Sequence, residues 1–339
     1  MVRTHFPLLV SAPELLRPTT LREVAGSPGP CITILLPAGE FGKSSVPAAA
    51  QQLAQRGFPR AASAHLLTPL EQLSEDPTFT SGCPWSRVIL ASFSAFHQFY
   101  LTQPVKAQLI VGGSFSIRQL VAEADRPRVF YVLGVTGNRV ALLRCGGLRS
   151  EIVKLPAGVP DGGVENRSDF YKLVDRGLQQ LLHEPCTPLI LAGLEEDIAL
   201  YRVVSAYRDL MRESIPGFAG MALEQTEILQ KAYSIVCSDQ HRRRAAELLA
   251  AKERTPRGRL STDVDTILHA AFEGRVSQLY VNERAERIDM FERGSYQSWG
   301  SEDLYNLAAA QTILHQGKAC FLPANLMPDR ATAAAILRF

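Results

Sequence analysis

The chain has 339 residues, of which 46% are hydrophobic and 21% charged, and a formal net charge of +2. That length exceeds what one core ordinarily fills, so two or three domains are expected, and the composition excludes a disordered or fibrous protein. A near-neutral total excludes a strongly basic nucleic-acid binder, although the charge is uneven: residues 239–259 carry seven Lys and Arg against three Asp and Glu, and residues 260–339 carry seven against ten.

The six cysteines, Cys31, Cys83, Cys145, Cys186, Cys237 and Cys320, lie far apart with no C-x-x-C pair and no zinc-like spacing. Most sit beside apolar runs, as reduced core thiols do. The opening MVRTHFPLLVSAPELLRP has too short an apolar run for a secretory signal and carries Glu14, and no segment reaches the roughly 20 apolar residues that span a bilayer. A soluble, cytoplasmic protein is expected, with no membrane partner.

In chain order, CITILLP (31–37) reads as a buried strand. AAAQQLAQRG and HLLTPLEQLS read as helices, the second bent or limited by Pro69, and RVILASFSAFHQFYL (87–101) as a hairpin. Residues 1–125 thus form a mixed α/β domain. VFYVLGV, RVALLRC and SEIVKLP follow as three strands joined by turn residues Thr136-Gly137-Asn138 and Gly146-Gly147. After a loop, Ser168 is the expected N-cap of a helix with Phe170, Leu173, Val174, Leu178, Leu181 and Leu182 at helical spacing. PLILAG (188–193) is then a buried strand, and EEDIALYRVVSAYRDLMRES (195–214) a helix striped by Ile198, Val203, Val204, Tyr207 and Leu210. Three antiparallel strands, helix, strand, helix is the ribonuclease H-like order, assigned with a helical linker to residues 126–255.

Residues 222–254 read as mostly helical. In LSTDVDTILHAAFEGRVSQLYV, Thr262 and Asp265 suggest a capping box, Val264, Ile267, Leu268, Ala271 and Phe272 a buried face, Gly274 the C′ position, and VSQLYV a strand. EDLYNLAAAQTILHQG repeats the helix-then-glycine pattern before KACFLP and AAAILRF as strands. Residues 256–339 are therefore a small α/β sandwich, and the fold class is α/β in three domains.

Three features together, AAFEGRVSQLYV, the ending GKACFLPANLMPDRATAAAILRF and the ribonuclease H-like block, resemble the bacterial archaeo-eukaryotic release factor family, relatives of class-one release factors and Pelota. PCITILLPAGE and AFHQFYLTQPVKAQLIVGGSFSIRQLV resemble the N-terminal domain of that family. The resemblance implies a factor of the ribosomal A site. Its N-terminal domain would face the decoding centre, and its middle domain would reach toward the peptidyl-transferase centre. The C-terminal domain, similar to kink-turn-binding ribosomal proteins, would meet protein partners. It also implies ribosomal RNA as a partner and makes elongation factor Tu, a translational GTPase, a further one to consider; no DNA, cofactor or metal is implied.

In release factors the loop after the third middle-domain strand carries Gly-Gly-Gln; here its place is held by Asp161, Gly162, Gly163 and Val164. Hydrolysis of peptidyl-tRNA needs a held water and donors aimed at the oxyanion, and a valine side chain cannot position water. The loop reads as a turn, or as a backbone contact to ribosomal RNA through Gly162 and Gly163, helped by Asn166 and Arg167. Arg242, Arg243 and Arg244, with Lys252, Arg254, Arg257 and Arg259, form a basic segment suited to phosphate, or equally a solvated helix face interleaved with Glu247 and Glu253. Lys43, Arg56 and Arg60 flank AGEFGKSS, which lacks the Walker spacing. His269 reads as a boundary residue. Asp161, Glu165 and Asp169 invite a metal-nuclease reading, but such nucleases place carboxylates on strands, where only Glu151 stands. The leading expectation is a non-catalytic A-site-binding factor of hibernation or stress protection. The alternatives are a peptidyl-tRNA hydrolase or rescue factor, and a protein-interaction module off the ribosome.

Overall fold

The computed structural model describes residues 16–40, 44–75, 85–126, 129–146, 149–156, 158–160, 164–182, 187–217, 226–254, 258–293, 296–297 and 302–339. The chain forms two compact units: residues 125–253 make one, and the chain before and after them makes the other. The fold is mixed α/β, with three main sheets.

In the discontinuous unit the first sheet is antiparallel in the order β3-β2-β1-β4, from β1 (Cys31–Leu36), β2 (Ser86–Ala91), β3 (Phe96–Leu101) and β4 (Gln108–Gly112). β2 and β3 are the expected hairpin. All six residues of β1 are buried because both faces are covered: Ile32, Ile34 and Leu36 meet one core, Cys31 and Leu35 another. The first of these cores takes Ala49 and Leu53 from α2 (Ser45–Gln55) and Leu66, Leu70 and Leu73 from α3 (Arg60–Glu75). α3 runs on through Pro69 to Glu75, so that proline does not end the helix.

The second core joins both ends of the chain. It combines Leu21 and Val24 of α1 (Pro18–Ala25) and Leu120 and Val121 of α4 (Arg118–Ala124) with residues of the C-terminal segment. There the sheet order is β10-β17-β11-β16, from β10 (Leu260–Ser261), β11 (Val276–Asn282), β16 (Lys318–Leu322) and β17 (Ala333–Leu337), with β11 parallel to β16 and antiparallel to β17. Two short antiparallel pairs lie between them in sequence: β12 (Ile288–Asp289) with β15 (Glu302–Asp303), and β13 (Glu292–Arg293) with β14 (Tyr296–Gln297).

α8 (Val264–Phe272) is capped by Asp263, whose carboxylate accepts from the Thr266 amide, rather than by the expected Thr262 and Asp265. The Asp263 side chain sits at the residue preceding the first helical turn, where the free amide points. It holds its carboxyl below the ordinary range through the Thr266 hydrogen bonds. Gly274 has φ +69° at the predicted C′ position. In α9 (Leu304–Leu314) Leu304, Tyr305, Asn306, Leu307, Ala308, Ala309 and Ala310 are all buried, the pattern of a helix covered on most sides rather than of one with a solvent face.

The middle unit has a five-stranded sheet of order β7-β6-β5-β8-β9, from β5 (Phe130–Thr136), β6 (Arg139–Gly146), β7 (Arg149–Val153), β8 (Leu189–Gly193) and β9 (Leu210–Pro216). β5, β6 and β7 are antiparallel neighbours, whereas β8 runs parallel to both β5 and β9. This is the ribonuclease H-like order with one correction. The helix expected over 195–214 is two elements: α6 (Glu195–Val204) stops at Ser205, and Leu210–Pro216 is the edge strand β9. Ile198 is buried but Val203 is 82% exposed, and Ser205 leaves the helix in an extended conformation.

α5 (Arg167–Leu181) and α6 pack on one face of this sheet, around Phe170, Tyr171, Val174, Leu178, Ile198 and Tyr201. On the other, Phe130 meets Tyr233 of α7 (Thr226–Arg254) edge to face at 5.0 Å. Of the expected α5 stripe, Leu173 stays exposed at 38%, and buried Tyr171 and Asp175 take part instead. Cys31, Cys145, Cys237 and Cys320 are buried cysteines; Cys83 and Cys186 lie outside the described residues. Burial pushes the Cys145 thiol up to about 12.

Candidate functional site

The candidate site is one end of the middle sheet, where the β5–β6 turn, the β7–α5 segment and the starts of α5 and α6 converge. Asp161, Gly162 and Gly163 lie outside the described residues, and so does Lys43. The residues flanking the glycines are tied down. Val153, Leu155, Val159 and Val164 all pack against the middle core. Val164 is further held through its carbonyl, which accepts from Asn138 Nδ2 of the β5–β6 turn at 2.7 Å. Gly177 of α5 lies under Val159: a Cβ there would come within 2.3 Å of Val159 Cγ2, so the absent side chain lets the segment settle on the helix.

Only residues 160–163 separate the two anchored valines. Val164 is one of those anchors, its side chain packed on the core.

The turn that holds Val164 is itself held by Asp197, a residue the sequence reading passed over. Asp197 is 1% exposed in the first turn of α6; Oδ2 accepts from the Gly137 amide at 2.9 Å and Oδ1 from the Tyr171 hydroxyl at 2.9 Å. Its signal in the sequence was Glu195-Glu196-Asp197 directly after a buried strand, the acid-rich start that a helix N-terminus favours. A second buried carboxylate, Asp175, closes the far end of the helix pair. It accepts from Tyr201 Oη (3.1 Å), Ser205 Oγ (2.6 Å), Gln179 Nε2 (2.7 Å) and the Ala206 amide (3.0 Å). Burial, then the carboxylate partner, raises both Tyr171 and Tyr201 above the ordinary phenol range.

Asn166, not the expected Ser168, caps α5: its side chain accepts from the Ser168 amide at 2.9 Å. Arg167 is half exposed, 3.3 Å from Glu196 and 3.6 Å from Asp197. Arg242, Arg243 and Arg244 sit on α7, away from that sheet end in sequence, and each has a carboxylate partner. Arg242 reaches Glu213 (2.6 Å), Arg243 reaches Asp239 (2.7 Å), and Arg244 reaches Asp125 (2.5 Å) and Glu247 (2.8 Å). Hydrogen bonding to Glu213 raises Arg242, and to Asp125 raises Arg244. Arg56 and Arg60 are exposed at the end of α2 and the start of α3. Glu151 pairs with Arg144 at 3.1 Å. Among the described residues no group of three or more His, Cys, Asp or Glu could hold a metal ion, and no helix is long and apolar enough to cross a membrane.

The middle unit is thus a ribonuclease H-like sheet with the segment between β7 and α5 anchored on both sides of the glycines. Residues 129–275 match the family described as "Bacterial archaeo-eukaryotic release factor family 3", so over this stretch the chain is release-factor-like in sequence. No curated protein matches the chain in sequence. Similar solved structures include the archaeal translation termination factor aRF1, at 16% identity over 95% of this chain and 96% of that one, with a TM-score of 0.27. Pelota of Archaeoglobus fulgidus aligns at 13% identity over 96% and 93%, with a TM-score of 0.45. Archaeal Pelota from a model of its ribosome-bound form with ABCE1 aligns at 11% over 96% and 95%, with a TM-score of 0.38. At such scores the superpositions carry no argument about function, which rests on the family match and the site.

Proposed function

We propose that this protein is a ribosome-binding translation factor that occupies the A site without hydrolysing peptidyl-tRNA, as in hibernation or stress protection. The family match over residues 129–275 supports the translational setting. The observation that carries the rest is Val164: it stands where a water-positioning glutamine would be needed, packs on the core and is bonded through its carbonyl to Asn138. A side chain so placed supplies neither a held water nor an oxyanion donor.

In this reading the middle unit meets ribosomal RNA through Gly162, Gly163, Asn166 and Arg167, and the N-terminal segment through Lys43, Arg56 and Arg60. Arg242, Arg243 and Arg244 contribute where phosphate displaces their carboxylate partners. Residues 1–125, 126–255 and 256–339 serve as three functional regions, with a translational GTPase such as elongation factor Tu as the delivering partner.

The test is co-sedimentation of the purified protein with vacant and with peptidyl-tRNA-loaded ribosomes, scoring peptide release in the same tubes. Binding without release is expected. Release at saturating protein would replace this reading with the hydrolase one, and absence of binding at physiological salt would remove the ribosome from it.

A further inference from the structure

The N-terminal and C-terminal segments, separated by the 125–253 unit in sequence, share more than a boundary. We propose that residues 16–124 and 258–339 open and close as one cooperative body, latched by Asn306 and Arg118, so that a partner gripping one chain end holds the other as well.

Three observations converge on this. The apolar one is the shared core: Val24, Leu35, Phe115 and Leu120 belong to the same buried cluster as Ile267, Leu279, Leu307 and Phe321. α9 is buried on most sides because α1 covers part of it, so parting the segments would expose an apolar helix face to water. The second is Asn306, 6% exposed in α9. Its Oδ1 accepts from the Ile117 amide and its Nδ2 donates to the Phe115 carbonyl, both at 2.9 Å, so one amide satisfies a buried donor and acceptor across the seam.

The third is Arg118, at the first position of α4. Its guanidinium donates to the carbonyls of Glu283 (3.1 Å) and Ala285 (2.5 Å), pairs with Asp303 and lies 5.2 Å from the centre of the Phe321 ring. A planar fork fixed by two carbonyls, a carboxylate and a ring sets an orientation as well as an attraction. Partial separation would therefore break apolar, amide and guanidinium contacts together. That is the condition for a single opening transition rather than two.

This inference stands apart from the ribosomal reading, because its test involves no ribosome. Native-state hydrogen exchange on the full chain across a urea series should give one common isotherm for the amides of β1 and β2 and those of β11 and β17. Asn306→Ala should speed exchange of both sets by the same factor, roughly thirty-fold, and leave the amides of β5 and β8 unchanged. Arg118→Lys, which keeps the charge and loses the fork, should move both sets in the same direction by less. Separate isotherms for the two sets in the unmodified protein, or acceleration of one set alone, would overturn the proposal. Should Asn306→Ala fail to fold, the unmodified protein and Arg118→Lys decide it.

Discussion

Asp197 links the fold of the middle unit to its candidate site, and replacing it by alanine gives a magnitude that can be worked out. The carboxylate is 1% exposed and accepts two hydrogen bonds, from the Gly137 amide and the Tyr171 hydroxyl, each at 2.9 Å. Hydrogen bonds to a charged group are worth about 1.5–3 kcal/mol, and Tyr171, itself fully buried, would keep a hydroxyl without that partner. The half-exposed Arg167 contact adds at most about 0.5 kcal/mol. Asp197→Ala should thus cost the middle unit about 3–6 kcal/mol. For a unit of this size that is roughly a 10–20 °C fall in its melting temperature. Asp197→Asn should fall between the two, since its amide can still accept one bond but turns an N–H toward the other donor. Urea unfolding followed through the β5 and β8 amides measures the loss. A cost below about 1 kcal/mol would refute the claim that this carboxylate holds the turn on which Val164 is hung.

Gly177→Ala should destabilise the middle unit by about 1–2 kcal/mol despite alanine's better helix propensity, because the new Cβ meets Val159 Cγ2; Val159→Ala should recover most of that loss in the double variant, which a double-mutant cycle reads directly. Tyr171 and Tyr201 are raised in the folded state, so the neutral phenol is the favoured form. Their contribution is complete below the unfolded phenol pKa of about 10 and is lost as pH rises beyond it. An alkaline titration should show these two ionising only with unfolding of the middle unit, and free ionisation in the folded protein would contradict the geometry. Arg244→Ala should cost about 1–2 kcal/mol through its two-point contact with Asp125, whereas Arg243→Glu should leave stability within about 1 kcal/mol, as chemical denaturation will show. If the arginines meet phosphate, Arg243→Glu should also flatten the salt dependence of ribosome binding, and an unchanged slope would return them to a solvated helix face.

Much of the architecture was legible because it is written in local pattern. VFYVLGV, RVALLRC and SEIVKLP are apolar runs broken by turn residues, and they became β5, β6 and β7 in the expected order. AAFEGRVSQLYV announced helix, glycine and strand, and Gly274 took the left-handed conformation that only glycine adopts freely. The misreadings fell where a local pattern admits two answers. An apolar stripe runs through SAYRDLMRES as well as a helix would, and only pairing with β8 makes Leu210–Pro216 a strand. Asn166, Ser168, Asp263 and Thr262 are all acceptable caps by type, and the choice is made by which side chain meets a free amide.

The candidate site divides in the same way. That the Val164 side chain brings no hydrogen-bonding group follows from the residue type alone. That Val164 is also an anchor, with Asn138, Asp197 and Gly177 behind it, depends on residues 13 to 33 positions away and could not be seen along the chain. Arg242, Arg243 and Arg244 showed as positive charge in the sequence, and the partners that offset it, Glu213 and Asp125 among them, are supplied by β9 and the start of the middle unit. The sequence by itself determined most of the elements and their order, since propensity, periodicity and side-chain chemistry act over a few residues. Tertiary structure alone decided that the two ends of the chain build one core and that a buried carboxylate holds the loop, because burial and charge pairing depend on which distant residues the fold brings together.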